Sequence, residues 1–294
     1  MKTYHLRVFP KTKEVPMLQF QGQDNKLIHE RPLDRETIDQ FSRDVEGEYR
    51  KVAPSLSRLG RLLYEWVDDP TQRWLARIVN DPEGLAIHID VEERLRHLPW
   101  ELLSSGDSYL GADSLRPFTP VRRVTGNTVS TEIANRPLRV LFMATSPEDV
   151  RPVLNFEAEE GMILHATRNQ GIELIVEESG TLEGLQFMAE SFERGYFDIF
   201  HLSGHADVTK DGPRFIMEND LGLHQDAPAQ EIARAFQGMW PRLIFLSGCK
   251  TGQAADQGGL PSMSEALVSA GAPAVLGWAL PVGDDAASIL ASRL

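Results

Sequence analysis

Two residues of this chain, Cys249 and His205, have types and spacing that suggest a chemical reaction. Cys249 is the only cysteine, and it directly follows an apolar run at 243–246 and two small residues. His205 lies 44 positions earlier, shortly after another apolar run at 197–200. A cysteine is nucleophilic as the thiolate, and a nearby imidazole can take its proton or stabilise the anion. The two residues therefore predict a thiol nucleophile and its base.

The turns around both residues are rich in small side chains, which would leave room for a peptide to approach. The cysteine lies in the sequence LSGCKTG at 246–252, and the histidine in HLSGHA at 201–206. An acyl intermediate also needs hydrogen-bond donors for its oxyanion, and backbone N–H groups on such turns can supply them. We predict the N–H groups of Ala206 and Cys249 as these donors.

The composition excludes several other classes of protein. The chain has 294 residues, 41% of them hydrophobic, a formal net charge of −13 and a pI of about 5.1. This acidity argues against nucleic-acid binding, and no apolar run approaches the roughly 18 residues of a membrane helix. The start resembles no signal peptide, and a single cysteine cannot form an internal disulfide. We expect a cytoplasmic protein without a cofactor or a metal, and without direct contact with nucleic acid or membrane.

The acidic residues are concentrated in the second half of the chain. Residues 131–294 hold 11 Lys and Arg against 23 Asp and Glu. An ordinary acidic surface explains this distribution. An acidic groove that favours basic partners is the alternative.

A polar segment at 126–131, followed by Pro137, predicts a linker between two domains. The first domain, 1–130, is predicted to be α+β, with an edge strand at 4–9. Its long helical pattern at 35–66 must break at Pro54.

The second domain, 131–294, alternates strands and helices more plainly. Strands are predicted at 139–144, 172–176, 197–202, 243–246 and 274–278, with a small hairpin near 214–223. Such alternation indicates a parallel sheet flanked by helices, in which functional groups gather at the carboxyl ends of the strands. His205 and Cys249 both follow such ends, so their side chains are predicted to come within reach of one another. No third catalytic residue stands out. We expect a backbone carbonyl or water to orient the histidine, and Asp207 to be a loop residue.

The two turns resemble those of the CHAT proteases, a bacterial branch of the caspase-like superfamily that also contains separase and metacaspases. The segment LPWELL at 98–103 is similar to that family's N-terminal subdomain, and GAPAVLGW at 271–278 to its last core strand. The resemblance spans roughly residues 80–294.

This resemblance implies a caspase-like three-layer sandwich with a mostly parallel central sheet, plus an N-terminal α+β subdomain. It also implies a cysteine–histidine dyad that hydrolyses peptide bonds, with His205 as general acid and base and Cys249 as nucleophile. In caspases the histidine precedes the cysteine by about 50 residues, which agrees with the spacing here. The sequence Ser247-Gly248-Cys249 departs from the caspase Gln-Ala-Cys, so caspase specificity for aspartate is not implied.

In the superfamily, the pocket for the residue before the scissile bond is lined by the loop after the first strand, the turn before the cysteine, and the segment after the fifth strand. These segments contain the predicted pocket residues, which are Glu148, Asp149, Glu157, Ser247, Trp278, Asp284 and Asp285. Carboxylates there would favour lysine or arginine. Capping of the final helix by Asp284 and Asp285 is the alternative.

The predicted function is therefore a cysteine endopeptidase that cleaves a specific protein substrate, activated by a regulatory domain or partner protein in bacterial defence or cell death. The alternative is a catalytically silent CHAT scaffold that docks a partner. A thiol phosphatase is excluded because position 255, where its arginine would stand, is Ala255. No Gly-x-Ser-x-Gly elbow, Walker loop or zinc-finger spacing is present. The final helical pattern runs to Leu294, so we expect a chain that is truncated at its C-terminus.

Overall fold

A computed structural model describes residues 1–10, 15–49, 55–69, 71–106, 108–124, 134–248, 262–278 and 284–291. Its internal contacts divide the chain into two compact units, Met1–Val124 and Thr125–Leu294. The predicted domain boundary at 130/131 falls within 125–133, outside the described residues, and stays a prediction. Within the described ranges, no helix has the length and apolar character that crossing a membrane requires.

The first unit combines a five-stranded sheet with four helices among its described residues. In chain order the elements are β1 Lys2–Pro10, β2 Pro16–Gln21, β3 Leu27–Pro32, α1 Arg35–Tyr49, α2 Leu56–Val67, α3 Trp74–Ile78, β4 Leu85–Asp90, α4 Glu93–Arg96, β5 Ser104–Ser105, β6 Ser108–Tyr109 and β7 Phe118–Arg122. Leu59, Leu63 and Val67 recur at helical spacing on α2 and are fully buried in the core of this unit. The predicted break at Pro54 lies outside the described residues, between α1 and α2.

The prediction of an edge strand at 4–9 was wrong. The sheet order is β3-β2-β1-β4-β7, so β1 lies at its centre, antiparallel to β2 and parallel to β4. The alternation of buried Leu6 and Val8 with more exposed neighbours shows that one face of the strand is buried. It carries no information on whether both edges of the strand are hydrogen-bonded, which is why the pattern misled.

The second unit alternates strands and helices. Its described elements are β8 Leu138–Ala144, α5 Phe156–Thr167, β9 Ile172–Glu177, α6 Leu182–Ser191, β10 Ile199–Ser203, β11 Ala206–Thr209, β12 Gly212–Glu218, β13 His224–Pro228, α7 Ala229–Phe236, β14 Leu243–Ser247, α8 Met263–Ser269, β15 Val275–Gly277 and α9 Asp284–Ala291. The sheet order is β15-β14-β10-β8-β9, and every pairing in it is parallel. This confirms the predicted α/β class.

The apolar runs at 139–144 and 243–246 form strands because central parallel strands, covered by helices on both faces, need apolar side chains on both faces. Helix α6 begins after Thr181, whose hydroxyl accepts a hydrogen bond of 2.9 Å from the N–H of Gly184. Thr181 is therefore the N-cap of α6.

A separate three-stranded antiparallel sheet, β11-β12-β13, follows β10 directly. The sequence predicted only a small hairpin near 214–223 and placed Ala206 in a turn, whereas Ala206 is the first residue of β11. The segment 206–209 has only four residues and lies next to small turn residues, so its strand pattern is weak. We call β11-β12-β13 the accessory sheet.

Candidate active site

The carboxyl ends of β10 and β14 lie side by side. Their parallel register pairs Leu202 with Leu246 and Ser203 with Ser247, and the N–H of Gly204 donates to the carbonyl of Ser247 at 3.3 Å. The turn that carries His205 and the residues just before Cys249 therefore belong to one edge of the sheet. Cys249 itself lies in the segment 249–261, outside the described residues.

Two glycines allow these turns to pack over the ring of Phe215, which is completely buried. A Cβ on Gly204 would lie 2.2 Å from Oγ1 of Thr145 and 2.8 Å from the Phe215 ring. A Cβ on Gly248 would lie 2.7 Å from the same ring and 3.1 Å from the Cβ of Ala206. Only glycine fits both positions without displacing a neighbour, so the small residues noted in the sequence have a packing cause. The residue before Cys249 is thus a close neighbour of the residue after His205.

His205 is held at both its backbone and its ring. Its carbonyl accepts from the N–H of Ile216 on the accessory sheet at 2.8 Å. Its Nε2 lies 2.7 Å from the carbonyl oxygen of Pro152, which confirms the expected backbone carbonyl partner. A carbonyl can only accept, so Nε2 carries the proton and Nδ1 of the neutral ring is left with a lone pair. Asp207 lies on β11 rather than in a loop, and its exposed carboxylate accepts from the N–H of Val208.

The backbone N–H of Ala206 points away from the accessory sheet. The bond from Ile216 to His205 makes these two residues a hydrogen-bonded pair of the antiparallel ladder. Hydrogen-bonded and non-hydrogen-bonded pairs alternate along such a ladder, so Ala206 and Phe215 form a non-hydrogen-bonded pair. The Ala206 N–H is therefore directed to the side of β11 opposite β12.

A buried polar cluster, Glu159, His201, Ser203 and Ser247, lies beneath these turns. The hydroxyl of Ser203 donates to Oε2 of Glu159 at 2.5 Å, and Nε2 of His201 lies 3.1 Å from Oε1. The ring of His201 packs against Phe142 and Phe245, with centroid distances of 5.1 and 4.6 Å.

Burial on its own would raise the pKa of the Glu159 carboxyl. The hydrogen bond and charge of His201, together with hydrogen bonds from Ser203 and Ser247, outweigh burial, so the pKa of Glu159 is lowered from 4.5. Among the described residues, His201 is its only ion-pair partner.

A cavity of about 180 Å³ connects this cluster with His205. Its described lining residues are Pro152, Leu154, Asn155, Phe156, Glu159, Ser203, Gly204, His205, Ser247, Ala287 and Ser288. The Glu159 carboxylate thus lies in the wall of a cavity that the candidate base His205 also lines.

The predicted pocket residues divide into three groups. Ser247 lines the cavity, whereas Glu157 is exposed in the first turn of α5 and does not. Trp278 is half-buried and follows β15 directly. Asp284 and Asp285 are the first two residues of α9, and their side chains lie outside the description; the same helix contributes Ala287 and Ser288 to the cavity. The sequence did not identify Glu159.

Glu148 and Asp149 are not near Glu159 but bind the accessory sheet. The N–H of Glu148 donates to the carbonyl of Gly222 at 3.0 Å. The carboxylate of Asp149 accepts from the N–H of His224 at 2.9 Å and lies 2.6 Å from Nδ1 of the same residue. Both residues therefore tie the loop after β8 to the hairpin of β12 and β13.

The sequence model of the CHAT domain family matches residues 57–294, which is most of the chain. The chain belongs to the CHAT domain family. This match begins more than 20 residues before the motifs that carried the resemblance, and it extends into the first unit. A comparison with the curated proteins finds no match. Membership places the chain in a caspase-like peptidase family and leaves its activity to be proposed.

Proposed function

We propose that this protein is a cysteine endopeptidase in which Cys249 is the nucleophile and His205 the general base and acid. The observation that carries the proposal is the contact of His205 Nε2 with the Pro152 carbonyl, 2.7 Å away. That contact fixes the tautomer that a base needs, with the lone pair on Nδ1. The packing of Gly248 against Ala206 supports it, because the residue before the cysteine is then a neighbour of the histidine turn.

In the proposed reaction Nδ1 of His205 takes the proton of the Cys249 thiol, and the thiolate attacks the carbonyl carbon of the scissile peptide bond. The imidazolium then gives the proton to the leaving amine, and the C–N bond breaks. Water, deprotonated by the same ring, hydrolyses the thioester and regenerates the thiol. The N–H groups of Ala206 and Cys249 would stabilise the oxyanion in both steps.

We further propose that the enzyme prefers lysine or arginine before the scissile bond, and that Glu159 is the carboxylate responsible. The cavity lined by both His205 and Glu159 supports this. A carboxylate has about four acceptor sites; the hydroxyl of Ser203 occupies one on Oε2, and Nε2 of His201 lies 3.1 Å from Oε1. A substrate ammonium or guanidinium could use the others, whereas a substrate carboxylate would be repelled.

A positional peptide library, incubated with the purified chain, tests both proposals. Cys249→Ala should abolish cleavage, and His205→Asn should slow it by about 10²–10⁴-fold, the usual size of acid–base catalysis. His165→Gln is the matched histidine control, because His165 is exposed on α5 and should not affect the rate. Cleavage that persists in Cys249→Ala would refute the nucleophile. A chain that cleaves no peptide and no candidate protein, even with partners added, would favour the silent scaffold.

The same library tests the specificity. Glu159→Gln keeps the size of the side chain and one acceptor oxygen but removes the charge and replaces the other oxygen with an NH2 donor. It should reduce the preference for lysine or arginine by about tenfold to a hundredfold, the size of a hydrogen bond to a charged group. Glu157→Gln, which removes an exposed carboxylate two positions earlier, should leave the preference unchanged. Cleavage mainly after aspartate would contradict the proposal. Control by a partner, and a role in bacterial defence or cell death, stay predictions from the resemblance.

A further inference from the structure

The loop that connects β8 to α5, residues 145–155, supplies the carbonyl that holds the His205 ring. Its own position depends on the accessory sheet. Thr145 donates its hydroxyl to the carbonyl of Ile216 at 2.7 Å, and the N–H of Ser146 donates to the Glu218 carboxylate at 2.8 Å. These bonds fix the beginning of the loop, where it leaves β8.

The contact of this loop with the accessory sheet nearest to Pro152 is the pair of Asp149 and His224. The two oxygens of Asp149 meet the backbone N–H and the ring Nδ1 of His224, at 2.9 and 2.6 Å. Only two residues lie between Asp149 and Pro152. The accessory sheet therefore acts on His205 twice, through the Ile216 bond to its backbone and through this pair to its ring.

We propose that Asp149 and His224 are positioning residues, whose pair holds the loop that presents the Pro152 carbonyl and thereby keeps Nδ1 of His205 directed at the thiol. This inference rests on the proposed Cys249–His205 dyad. Neither residue touches the reacting atoms, so each acts only through the loop. Both are within reach of solvent, which makes the pair sensitive to pH.

Several charged groups surround His224. They are Asp149 on the loop, Glu218 opposite it on β12, Asp226 two residues along β13, and Arg214, which pairs with Asp226 across the hairpin. The hydrogen bond to Asp149 is the main reason that the pKa of His224 is raised above 6.5, and the same bond is the main reason that the pKa of Asp149 is lowered below 3.8. The charged pair is therefore fully formed below about pH 6.5, weakens as pH rises through the pKa of His224, and is also lost in strong acid.

The rate at which iodoacetamide modifies the thiol tests this without any peptide substrate. Cys249 is the only cysteine, so the increase in intact mass reports on it alone. The modification follows the thiolate population, which a correctly oriented imidazole raises. At pH 6, Asp149→Asn should react about twofold to fivefold more slowly than the wild type, the effect that an exposed ion pair can have. The difference in reaction rate between Asp149→Asn and the wild type should become smaller as pH rises through the pKa of His224.

Matched variants separate a positioning role from a loss of folding. Glu173→Gln removes a carboxylate from another exposed ion pair of the same unit, that with Arg139, and should react at the wild-type rate. His224→Asn retains a donor at the position of Nδ1, so it should react faster than His224→Ala. Its reaction rate should lack the part of the pH dependence that comes from the titration of His224. A wild-type rate for Asp149→Asn at pH 6, with its melting temperature unchanged, would overturn the inference.

His205→Ala distinguishes this inference from the proposed function. If His205→Ala reacts as fast as the wild type, the dyad itself is refuted and the positioning role falls with it. If His205→Ala reacts slowly and Asp149→Asn does not, the dyad stands and only the role of the pair is refuted.

Discussion

Two histidine–carboxylate pairs belong to the unit that holds the candidate base, and they differ mainly in their exposure to water. His201 and Glu159 are 4% and 5% exposed and form the floor of the site. His224 and Asp149 lie at its rim, where their side chains are 58% and 35% exposed. A charge in the interior must be compensated by its partners, whereas a charge at the surface is solvated whether or not it is paired. The buried pair should therefore affect mainly the free energy of unfolding, and the exposed pair mainly the orientation of the His205 ring.

The largest effect should come from removal of the buried carboxylate. Glu159→Ala leaves the hydroxyl of Ser203 and Nε2 of His201 without their acceptor. Loss of one partner from a buried pair costs about 3–5 kcal/mol, so the free energy of unfolding should fall by about that amount. Chemical denaturation measures this. Asp149→Ala is the rim counterpart, and its denaturation midpoint should stay near that of the wild type; equal losses in the two variants would remove the distinction.

A double replacement sharpens the distinction between a buried pair and the charge that it contains. Glu159→Met combined with His201→Leu removes both partners and fills the space with apolar atoms. Buried pairs are often replaceable in this way, so the double variant should be more stable than Glu159→Ala by about 2 kcal/mol or more. Chemical denaturation of the two variants in parallel measures this difference in stability. A double variant no more stable than the single one would show that the fold needs the polar cluster itself.

The floor should also be intolerant of added volume. Gly204→Ala places a methyl group against Thr145 and Phe215, and overpacking of this kind costs about 1–3 kcal/mol. Gly161→Ala on α5 is the matched control, because no atom lies within 4 Å of its added Cβ. This control should be stabilised by about 0.5–1 kcal/mol, since alanine favours a helix interior. Thermal unfolding of the two variants should therefore shift in opposite directions.

Acid should lower the free energy of unfolding by protonating Glu159, and Glu159→Gln should remove this effect. The lowered pKa of Glu159 gives a contribution to stability that is fully present above about pH 4.5 and is lost as pH falls through the folded-state value. Stability between pH 5 and 3 should thus fall less steeply in Glu159→Gln than in the wild type. Parallel slopes for the two proteins would contradict the assigned cause of the shift.

The smallest effect belongs to the rim. Asp149→Asn should leave the melting temperature almost unchanged, and its slower reaction with iodoacetamide should largely disappear in high salt, because salt screens exposed charges. The buried pair is screened much less, so the stability difference between Glu159→Gln and the wild type should persist at the same salt concentration. Measurements at low and high salt compare the two directly.

The sequence predicted the features that depend on the residues of a single strand or helix. Continuous apolar runs predicted the parallel strands, and the small residues after β10 predicted the turn at Gly204 and His205 but not the strand that begins at Ala206. The alternation of strands and helices was predicted, but the carboxylate that α5 buries was not. Residues 157 and 159 differ by about 200° around a helix of 3.6 residues per turn, and the sequence alone does not show which one faces inward. The available signal was His201 and Ser203, two polar residues on one face of a buried strand, which required a buried partner.

The rim pair could not be predicted, because it joins residues 75 positions apart across two elements. Asp149 and His224 both lie in polar stretches that are typical of surface loops. Four-residue β11 was missed for a related reason, since its pairing with β12 decides its structure more than its own sequence does. Long-range pairs of polar residues depend on the complete fold, whereas apolar periodicity is local.

The parallel pairing of β10 with β14 also affects how the protein is made. Their register joins Ser203 to Ser247 across an accessory sheet and a helix, so the two turns meet only after that whole intervening stretch has been synthesised and folded. A chain still on the ribosome, complete only as far as β13, contains the histidine turn but neither β14 nor the cysteine. Contacts of such high sequence separation form late, because the entropy of closing the loop between them opposes early formation. The order of the strands thus delays the meeting of the two strand ends until β14 has been synthesised and paired with β10.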